Sequence, residues 1–204
     1  MDSIHKLAEL FREFPGIGPR QARRFVYFLL TRQKQYRVTL SKLILALGDF
    51  TRECDICGRY FTHDAKGSSI CDICRDKSRD GSQLLLVSRD MDLETVEKSG
   101  TYKGFYFVLG GSIPILEKAP ESKIRATALV EQIEKRCKDI KEIIFALNVT
   151  PEGENTERYL RTLIAPLAAK NGFKIESLGR GLSTGLELEY SDSDTLKNAF
   201  KNRS

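Results

Sequence analysis

The chain has 204 residues, 30% of them charged and 41% hydrophobic, with a formal net charge of +5. That length can hold one large domain or two or three small ones. No apolar run approaches the roughly 20 residues that a helix needs to cross a bilayer, and the first ten residues lack the apolar core of a signal peptide. We therefore expect a soluble, cytoplasmic protein with no membrane partner.

The net positive charge is concentrated in the first quarter of the chain. Residues 1–50 contain nine Lys or Arg and four Asp or Glu, whereas acidic and basic residues balance in 51–80 and again in 81–204. A localised basic excess is typical of a surface that binds a polyanion, although a solvated charged surface explains any single residue more simply. We expect the first fifty residues to do most of the phosphate binding.

Three helices are predicted in this basic segment. Apolar residues recur at helical spacing over residues 3–13. The segment Phe14–Pro19 then contains two glycines and two prolines, which end this helix and start another, with Pro19 at its first position. A third helix, ending at Gly48, should close the small domain with an apolar stripe. That stripe comprises Leu40, Leu43, Ile44 and Leu47.

The second helix is expected to carry its arginines on the side opposite its apolar residues. This arrangement resembles a helix-hairpin-helix, in which a Pro-Gly-Ile-Gly turn presents backbone N–H groups to a nucleic-acid phosphate. The alternative is a tight corner between two helices with a basic, solvent-facing side. The resemblance implies sequence-independent DNA contacts. The residues expected to make them are Gly16, Gly18, Arg20, Arg23 and Arg24.

Four cysteines form two Cys-Asp-Ile-Cys tetrapeptides separated by thirteen residues. Paired Cys-x-x-Cys motifs at this spacing predict one tetrahedral Zn²⁺ site per chain, which is structural because four thiolates leave no open coordination position. The alternatives are two disulfides, which are rare in a reducing cytoplasm, or four reduced thiols in a small core. The predicted ligands are Cys54, Cys57, Cys71 and Cys74.

After residue 82, short apolar runs alternate with helical patterns. Continuous apolar runs indicate strands that are buried on both faces, as in a parallel sheet covered by helices. The runs are Leu84–Val87, Phe105–Leu109, Ile143–Leu147 and Phe173–Leu178, and the helices lie near 92–98, 122–138 and 153–171. In the tail, Leu186, Leu188 and Tyr190 alternate with glutamates, which predicts a strand with one solvated face, followed by a helix from about Asp192.

The segment Asn148–Glu154 follows a predicted buried strand and resembles the second motif of the Toprim fold, Asp-x-Asp-x-Glu-Gly-Glu. In that fold the aspartates bind Mg²⁺, but here Asn148 and Thr150 replace them, and Ser88 stands where the other Toprim acid is expected. Since Mg²⁺ needs carboxylate oxygens, we expect no catalytic centre. The motif remnant, a candidate partner surface, consists of Ser88, Asn148, Thr150, Glu152, Gly153 and Glu154.

In this order, the parts resemble the RecR family of bacterial recombination mediators. The resemblance rests on Phe14–Pro19, the two cysteine tetrapeptides, Tyr102–Gly111, Thr150–Glu154, and Arg180–Leu182 with Leu188–Tyr190; the chain departs at Ser88 and Asn155. It implies a multi-domain α/β protein. The expected domains are a helix-hairpin-helix (1–52), a four-cysteine zinc finger (53–78), a Toprim-like parallel α/β domain (79–178) and a C-terminal strand and helix (179–204).

The resemblance also implies a function. Such a protein would not be an enzyme but a ring-like clamp, a homo-oligomer such as a tetramer, on single- and double-stranded DNA. It would work with RecO and RecF in recombinational repair to load recombinase onto single strands. Two alternatives stay open: a metal-dependent Toprim nuclease or primase, and a zinc-containing adaptor that binds only proteins. The acids of the first alternative would be Asp90, Asp92, Glu152 and Glu154.

Overall fold

The computed structural model describes residues 2–63, 67–179, 182, 185 and 187–201. The chain divides into two compact units, with the boundary after Thr51. The first unit contains helices α1 (Ser3–Arg12), α2 (Pro19–Leu30) and α3 (Lys34–Phe50). All three predicted helices are therefore present.

Helices α1 and α2 form the core of the N-terminal unit. The carboxylate of Asp2 accepts the Ile4 N–H at 3.0 Å and caps the start of α1. Ala8 on α1 and Ala22 and Val26 on α2 are buried, because small side chains let the two helices approach closely. Partly buried apolar residues surround them, namely Ile4, Leu7, Phe11 and Ile17.

Helix α3 departs from expectation because its apolar stripe does not close the unit. The helix continues past Gly48 to Phe50, and none of its residues is buried. Leu43, Ile44 and Leu47 are 58–63% exposed. An apolar cleft of about 350 Å³, lined by residues of all three helices, remains open. The periodicity correctly predicted an amphipathic helix, but it carries no information about which surface covers the apolar face.

The C-terminal unit begins with the four-cysteine finger. Its elements are the two-stranded sheet of β1 (Thr51–Glu53) and β2 (Tyr60–Thr62) and the short helix α4 (Asp72–Arg75). The cysteine pairs flank these elements. Cys54 and Cys57 lie in the loop that joins the two strands, and Cys71 and Cys74 lie at and within α4.

A four-stranded parallel sheet follows, in the order β4-β3-β5-β6. Its strands are β3 (Asp80–Val87), β4 (Gly104–Val108), β5 (Glu142–Ala146) and β6 (Lys174–Ser177). The helices between them are α5 (Asp90–Ser99), α6 (Ala126–Arg136) and α7 (Pro151–Asn171). The predicted parallel architecture is confirmed.

Central strand β3 is buried on both faces, as its continuous apolar run predicted. Leu84 and Leu86 belong to a cluster with residues of α6 and α7, whereas Leu85 and Val87 belong to a second cluster. The second cluster includes residues of the finger (Cys54, Cys57, Phe61, Cys71 and Ile73), of α5 (Leu93) and of β4 (Tyr106 and Val108). The finger therefore packs as part of the core that covers one face of the sheet.

The tail differs in part from expectation. Leu188–Tyr190 form a single 3-10 turn in place of the predicted strand, and Leu188 and Tyr190 are 63% and 73% exposed. A strand needs a neighbouring strand for its backbone hydrogen bonds, and alternation alone does not supply one. Leu186 lies outside the described residues. The final helix is confirmed as α8 (Ser193–Lys201), with the Asp192 carboxylate accepting the Thr195 N–H at 2.9 Å. Within the described residues, no helix combines the length and apolar character needed to cross a membrane.

Candidate nucleic-acid interface and metal centre

The turn between α1 and α2 places two glycines in front of a helix N-terminus. Gly16 has φ = 76°, a conformation that glycine adopts without steric cost. Ile17 N–H donates to the Phe14 carbonyl at 3.1 Å and closes the turn. Gly18 is extended and precedes Pro19, the first residue of α2. The glycines and the proline therefore end one helix and start the next within six residues.

The start of α2 offers the chemistry of an anion site. Helix geometry leaves the first backbone N–H groups, including those of Arg20 and Gln21, without intrahelical acceptors, and this end carries partial positive charge. A Cβ at Gly16 or Gly18 would meet nothing within 4 Å, so the space in front of the turn is open. A phosphate oxygen could approach the backbone there.

Three exposed arginines lie on the first two turns of α2, opposite the buried Ala22 and Val26. Arg24 donates to the Gln21 side chain at 3.3 Å. In the part of the chain that the structure describes, neither Arg20 nor Arg23 has an acidic partner within ion-pair distance. The structure therefore places Arg20, Arg23 and Arg24 on the solvent-facing side of α2, and their role in binding an anion stays a prediction.

The four predicted cysteine ligands come together. Their sulfur atoms all lie within 4.8 Å of one another, three of the residues are buried, and none forms a disulfide. The Sγ atoms of Cys57 and Cys71 are 3.7 Å apart. Four sulfurs at about 2.3 Å from a tetrahedral ion would be about 3.8 Å apart, so this donor set fits a thiolate-bound metal.

Local backbone geometry positions these sulfurs. Gly58 N–H donates to the Cys54 carbonyl at 2.9 Å, and Gly58 has φ = 70°, which turns the chain tightly after Cys57. The Cys71 N–H points at Cys54 Sγ at 3.4 Å. Hydrogen bonding from the Cys57 thiol, and then from Cys71 and Cys74, lowers the pKa of the Cys54 thiol, whereas hydrogen bonding to Cys54 raises the pKa of the Cys57 and Cys74 thiols. A deprotonated sulfur is the form that binds metal.

The Toprim-motif remnant lies at the carboxyl ends of β3 and β5, which are paired neighbours. Ser88 is buried, and its hydroxyl has no hydrogen-bond partner among the described residues. Thr150 Oγ1 accepts the Gly153 N–H at 3.2 Å and so caps α7. A side chain at Gly153 would overlap the carbonyl oxygen of Asn148, which explains the glycine there. Glu152 and Glu154 are exposed on the first turn of α7.

The residues present at this edge do not fit Mg²⁺. The three positions that would supply acids hold a buried hydroxyl, an amide and a hydroxyl that already caps a helix. Two of the four other nearby acids, Asp90 and Asp92, have structural roles. Asp92 accepts the Arg89 N–H at 2.9 Å, and Asp90 accepts the Tyr60 N–H at 2.8 Å. The motif therefore lacks the carboxylate set that this hard cation requires.

Sequence reasoning did not identify the residues that hold the finger against the sheet. Arg125 pairs with Glu53 at 2.8 Å, and the Gln132 amide donates to the Asp55 carbonyl at 3.2 Å. Both donors belong to the start and middle of the α6 segment, more than seventy residues away along the chain from their partners. No local spacing or motif could have indicated either contact.

Family models match three successive segments of the chain. They are the RecR helix-hairpin-helix over residues 4–47, the Toprim domain over 82–178 and the RecR C-terminal segment over 181–204. The recombination protein RecR of Lacticaseibacillus casei is 36% identical over 203 residues, covering 99% of this chain and 96% of that protein.

Two further relatives carry the same name. Recombination protein RecR of Dehalococcoides mccartyi is 34% identical over 201 residues, which cover 98% of this chain and 93% of that protein. The Staphylococcus haemolyticus protein is 36% identical over 205 residues, covering 99% and 96%. Because the similarity runs nearly end to end and the three matched segments occur in the same order as the folded elements, the chain belongs to the RecR family.

Proposed function

We propose that the protein acts in recombinational DNA repair by binding the DNA backbone without reading its sequence. The turn at Gly16–Gly18 carries this proposal. It is followed directly by the N-terminus of α2, where backbone N–H groups without intrahelical acceptors and exposed arginines lie close together. The concentration of net positive charge in the first fifty residues supports it. Phosphate contacts of this kind fix a protein on DNA but discriminate little between bases.

We further propose that the chain works as a homo-oligomeric clamp, such as a four-membered ring, together with RecO and RecF. The uncovered apolar face of α3 supports self-association, since Leu43, Ile44, Leu45 and Leu47 are all more than half exposed. A contiguous patch of large exposed apolar side chains is typical of an interaction surface. Enclosure would retain DNA that a shallow basic surface alone would release.

The four cysteines are proposed to hold one structural Zn²⁺ per chain. Four sulfur donors and a reducing compartment favour zinc, and full coordination leaves no position for a substrate or for water. The metal would supply the cross-link that a finger of about twenty residues cannot replace with its own apolar core.

We propose no catalytic step. The acids needed for Mg²⁺-dependent nuclease or primase chemistry are replaced at Ser88, Asn148 and Thr150. The Toprim-like unit is proposed to serve as a scaffold, with its motif remnant as a partner surface. Metal-dependent cleavage or synthesis by the purified chain on labelled DNA would overturn this part of the proposal.

DNA binding can be tested by fluorescence anisotropy with labelled single- and double-stranded oligonucleotides across a range of salt concentrations. Changing Arg20, Arg23 and Arg24 together to Ala should weaken binding. The slope of log affinity against log salt concentration should become less negative by about 2 to 3, which is nearly one unit for each lost phosphate contact. The matched control changes Lys135, Lys138 and Arg158 to Ala, which removes the same charge from exposed positions of the C-terminal unit. Equal losses in both variants would reduce the effect to net charge and contradict the proposed site.

A further inference from the structure

We propose that Arg125 is the positioning residue that holds the metal-bearing finger on the sheet, and that it thereby controls how slowly the four cysteines release their metal. The inference rests on the proposed zinc site and concerns a residue outside the four sulfur donors. Arg125 directly precedes α6, and its own N–H donates to the Leu109 carbonyl at 2.9 Å, so the backbone at this point is fixed to the end of the β4 segment.

The guanidinium of Arg125 connects three strands. Nη2 lies 2.8 Å from Glu53 Oε2 on β1, and Nη1 donates to the Val108 carbonyl on β4 at 3.2 Å. The guanidinium carbon also lies 6.0 Å from the ring centroid of Tyr60 on β2. A planar guanidinium can make these directional contacts at once, which a lysine cannot do. One side chain thus ties both strands of the finger to the edge of the large sheet.

Val108 transmits this restraint to a metal ligand. Its carbonyl accepts from Arg125, and its N–H donates to the Cys57 carbonyl at 2.7 Å. Cys57 is fully buried and belongs to the same apolar cluster as Val108. Loosening the Arg125 contact therefore frees the backbone against which the first cysteine pair is held.

The space around Arg125 is made by two glycines, one from each side of the contact. A Cβ at Gly110, which follows β4, would lie 2.5 Å from Arg125 Nη1, and a Cβ at Gly58 would lie 3.2 Å from its Cδ. Both glycines have positive φ, 86° and 70° respectively. The absence of side chains at these two positions leaves the guanidinium room to reach Glu53 and Val108.

Other contacts keep the finger docked when Arg125 is removed. Tyr60 N–H donates to Asp90 at 2.8 Å, the Gln132 amide donates to the Asp55 carbonyl at 3.2 Å, and the shared apolar cluster remains. A variant at position 125 should therefore fold while its finger fluctuates more. Groups that orient metal ligands from outside the coordination sphere typically change metal affinity by about 10- to 100-fold.

The experiment follows zinc release from the purified, zinc-loaded full chain to a chromophoric chelator, well below the unfolding temperature. Arg125→Ala should release zinc about 10- to 100-fold faster than the unchanged protein. Arg125→Lys should restore only part of the loss. Glu53→Gln, which removes the ion pair and keeps side-chain volume, should give a smaller acceleration in the same direction.

Arg161 provides the matched control within the same unit. It also makes an ion pair, with Glu157 at 2.9 Å, donates to a backbone carbonyl, Ile175, at 3.3 Å, and lies over the ring of Phe145 at 5.0 Å. It contacts β6, at the opposite edge of the sheet from β4. Arg161→Ala should lower the melting temperature and leave the zinc release rate unchanged.

Gly110→Ala tests the steric part of the proposal without altering a residue next to a cysteine. Because φ = 86° strains any side chain at this position, the informative comparison is between backgrounds: the added methyl should displace the guanidinium and speed release in the unchanged protein, and it should add little when Arg125 is already Ala. Unchanged release in Arg125→Ala, or equal acceleration in Arg161→Ala, would overturn the role of Arg125 while leaving the zinc site standing. Freshly purified chain that contains no zinc would overturn the zinc proposal itself.

Discussion

The hydroxyl of Thr150 accepts the backbone N–H of Gly153 at 3.2 Å, at a position where the resembling motif would carry a metal-binding aspartate. The residue thus caps α7 in place of holding a cation. Thr is a favourable N-cap residue, so the substitution preserves the helix start while it removes the charge. This pair shows that the Toprim fold persists without the donor set of its metal site.

Millimolar Mg²⁺ should leave the thermal unfolding of the zinc-loaded protein unchanged, since the motif lacks the carboxylates that bind this ion. Differential scanning calorimetry with and without Mg²⁺ measures the effect. The comparison variant carries Asn148→Asp and Thr150→Asp, both at exposed positions, and aspartate also caps helices well. We expect Mg²⁺ to raise the melting temperature of the double variant only. An equal shift in the unchanged protein would mean that the site still binds the ion.

The two glycines of the helix-hairpin-helix turn should respond differently to alanine. Gly16→Ala forces a side chain into φ = 76° and should cost about 1 to 2 kcal/mol of unfolding free energy. Gly18→Ala meets no neighbouring atom and has an ordinary φ of −82°, so its cost should be about 0.5 kcal/mol.

For DNA affinity, the Gly18→Ala result is the informative one. Its methyl group would occupy the space through which a phosphate approaches the helix start, so affinity should fall several-fold although stability hardly changes. Urea unfolding and anisotropy titration on the same preparations separate the two effects. Full DNA affinity in Gly18→Ala would place the phosphate contacts elsewhere.

Glu97 should make stability depend on acid pH. Burial would raise the pKa of its carboxyl, but hydrogen bonds from Arg79 and Tyr106 outweigh burial and lower it. These bonds are short, 2.6 Å from each partner. A lowered pKa in the folded state stabilises the protein above the ordinary carboxyl pKa, and this contribution is lost as pH falls through the folded value.

Glu97→Gln should therefore lower the unfolding free energy by about 2 kcal/mol at neutral pH. The difference from the unchanged protein should narrow as pH falls below the ordinary carboxyl pKa, about 4.3, toward the lowered pKa of folded Glu97. Thermal melts across the pH range provide the measurement. The control is Glu94→Gln on the same helix, because its 3.8 Å pair with Lys98 is solvent-exposed and contributes little. A pH-independent difference would point to packing as the cause.

The uncovered face of α3 should control self-association. Changing Leu43 and Leu47 to Glu places two charges on that face and should lower the solution mass measured by analytical ultracentrifugation. Leu116→Glu is the control, since this residue is 91% exposed in the C-terminal unit. A mass that is unchanged by the α3 substitutions would remove this helix from the proposed oligomer interface.

Several features were predictable because each depends on residues close together in sequence. The first two helices, the tight turn at Gly16 and the clustering of Cys54 with Cys57 follow from local spacing and backbone preference. The parallel sheet was predictable because strands buried on both faces read as unbroken apolar runs. Each of these patterns reflects the local conformational preference or hydrophobicity of the segment that carries it.

The two wrong structural predictions concern segments whose packing partner cannot be read from the sequence. The alternation up to Tyr190 suggested a strand, but no strand among the described residues pairs with it, and the segment forms a 3-10 turn. The stripe on α3 suggested closure of the first domain, yet α1 and α2 bury their faces mainly against each other. Periodicity identifies an apolar face, whereas packing decides what covers it.

The sequence by itself determined the order of the parts, the four sulfur donors, the basic helix start and the loss of the Toprim acids, because residue type and spacing decide these directly. Only the tertiary structure decided that the finger is built into the core of the sheet and that Arg125 reaches Glu53, 72 residues away along the chain. Contacts over such separations depend on how all the intervening elements pack, and that packing leaves no local trace at either residue.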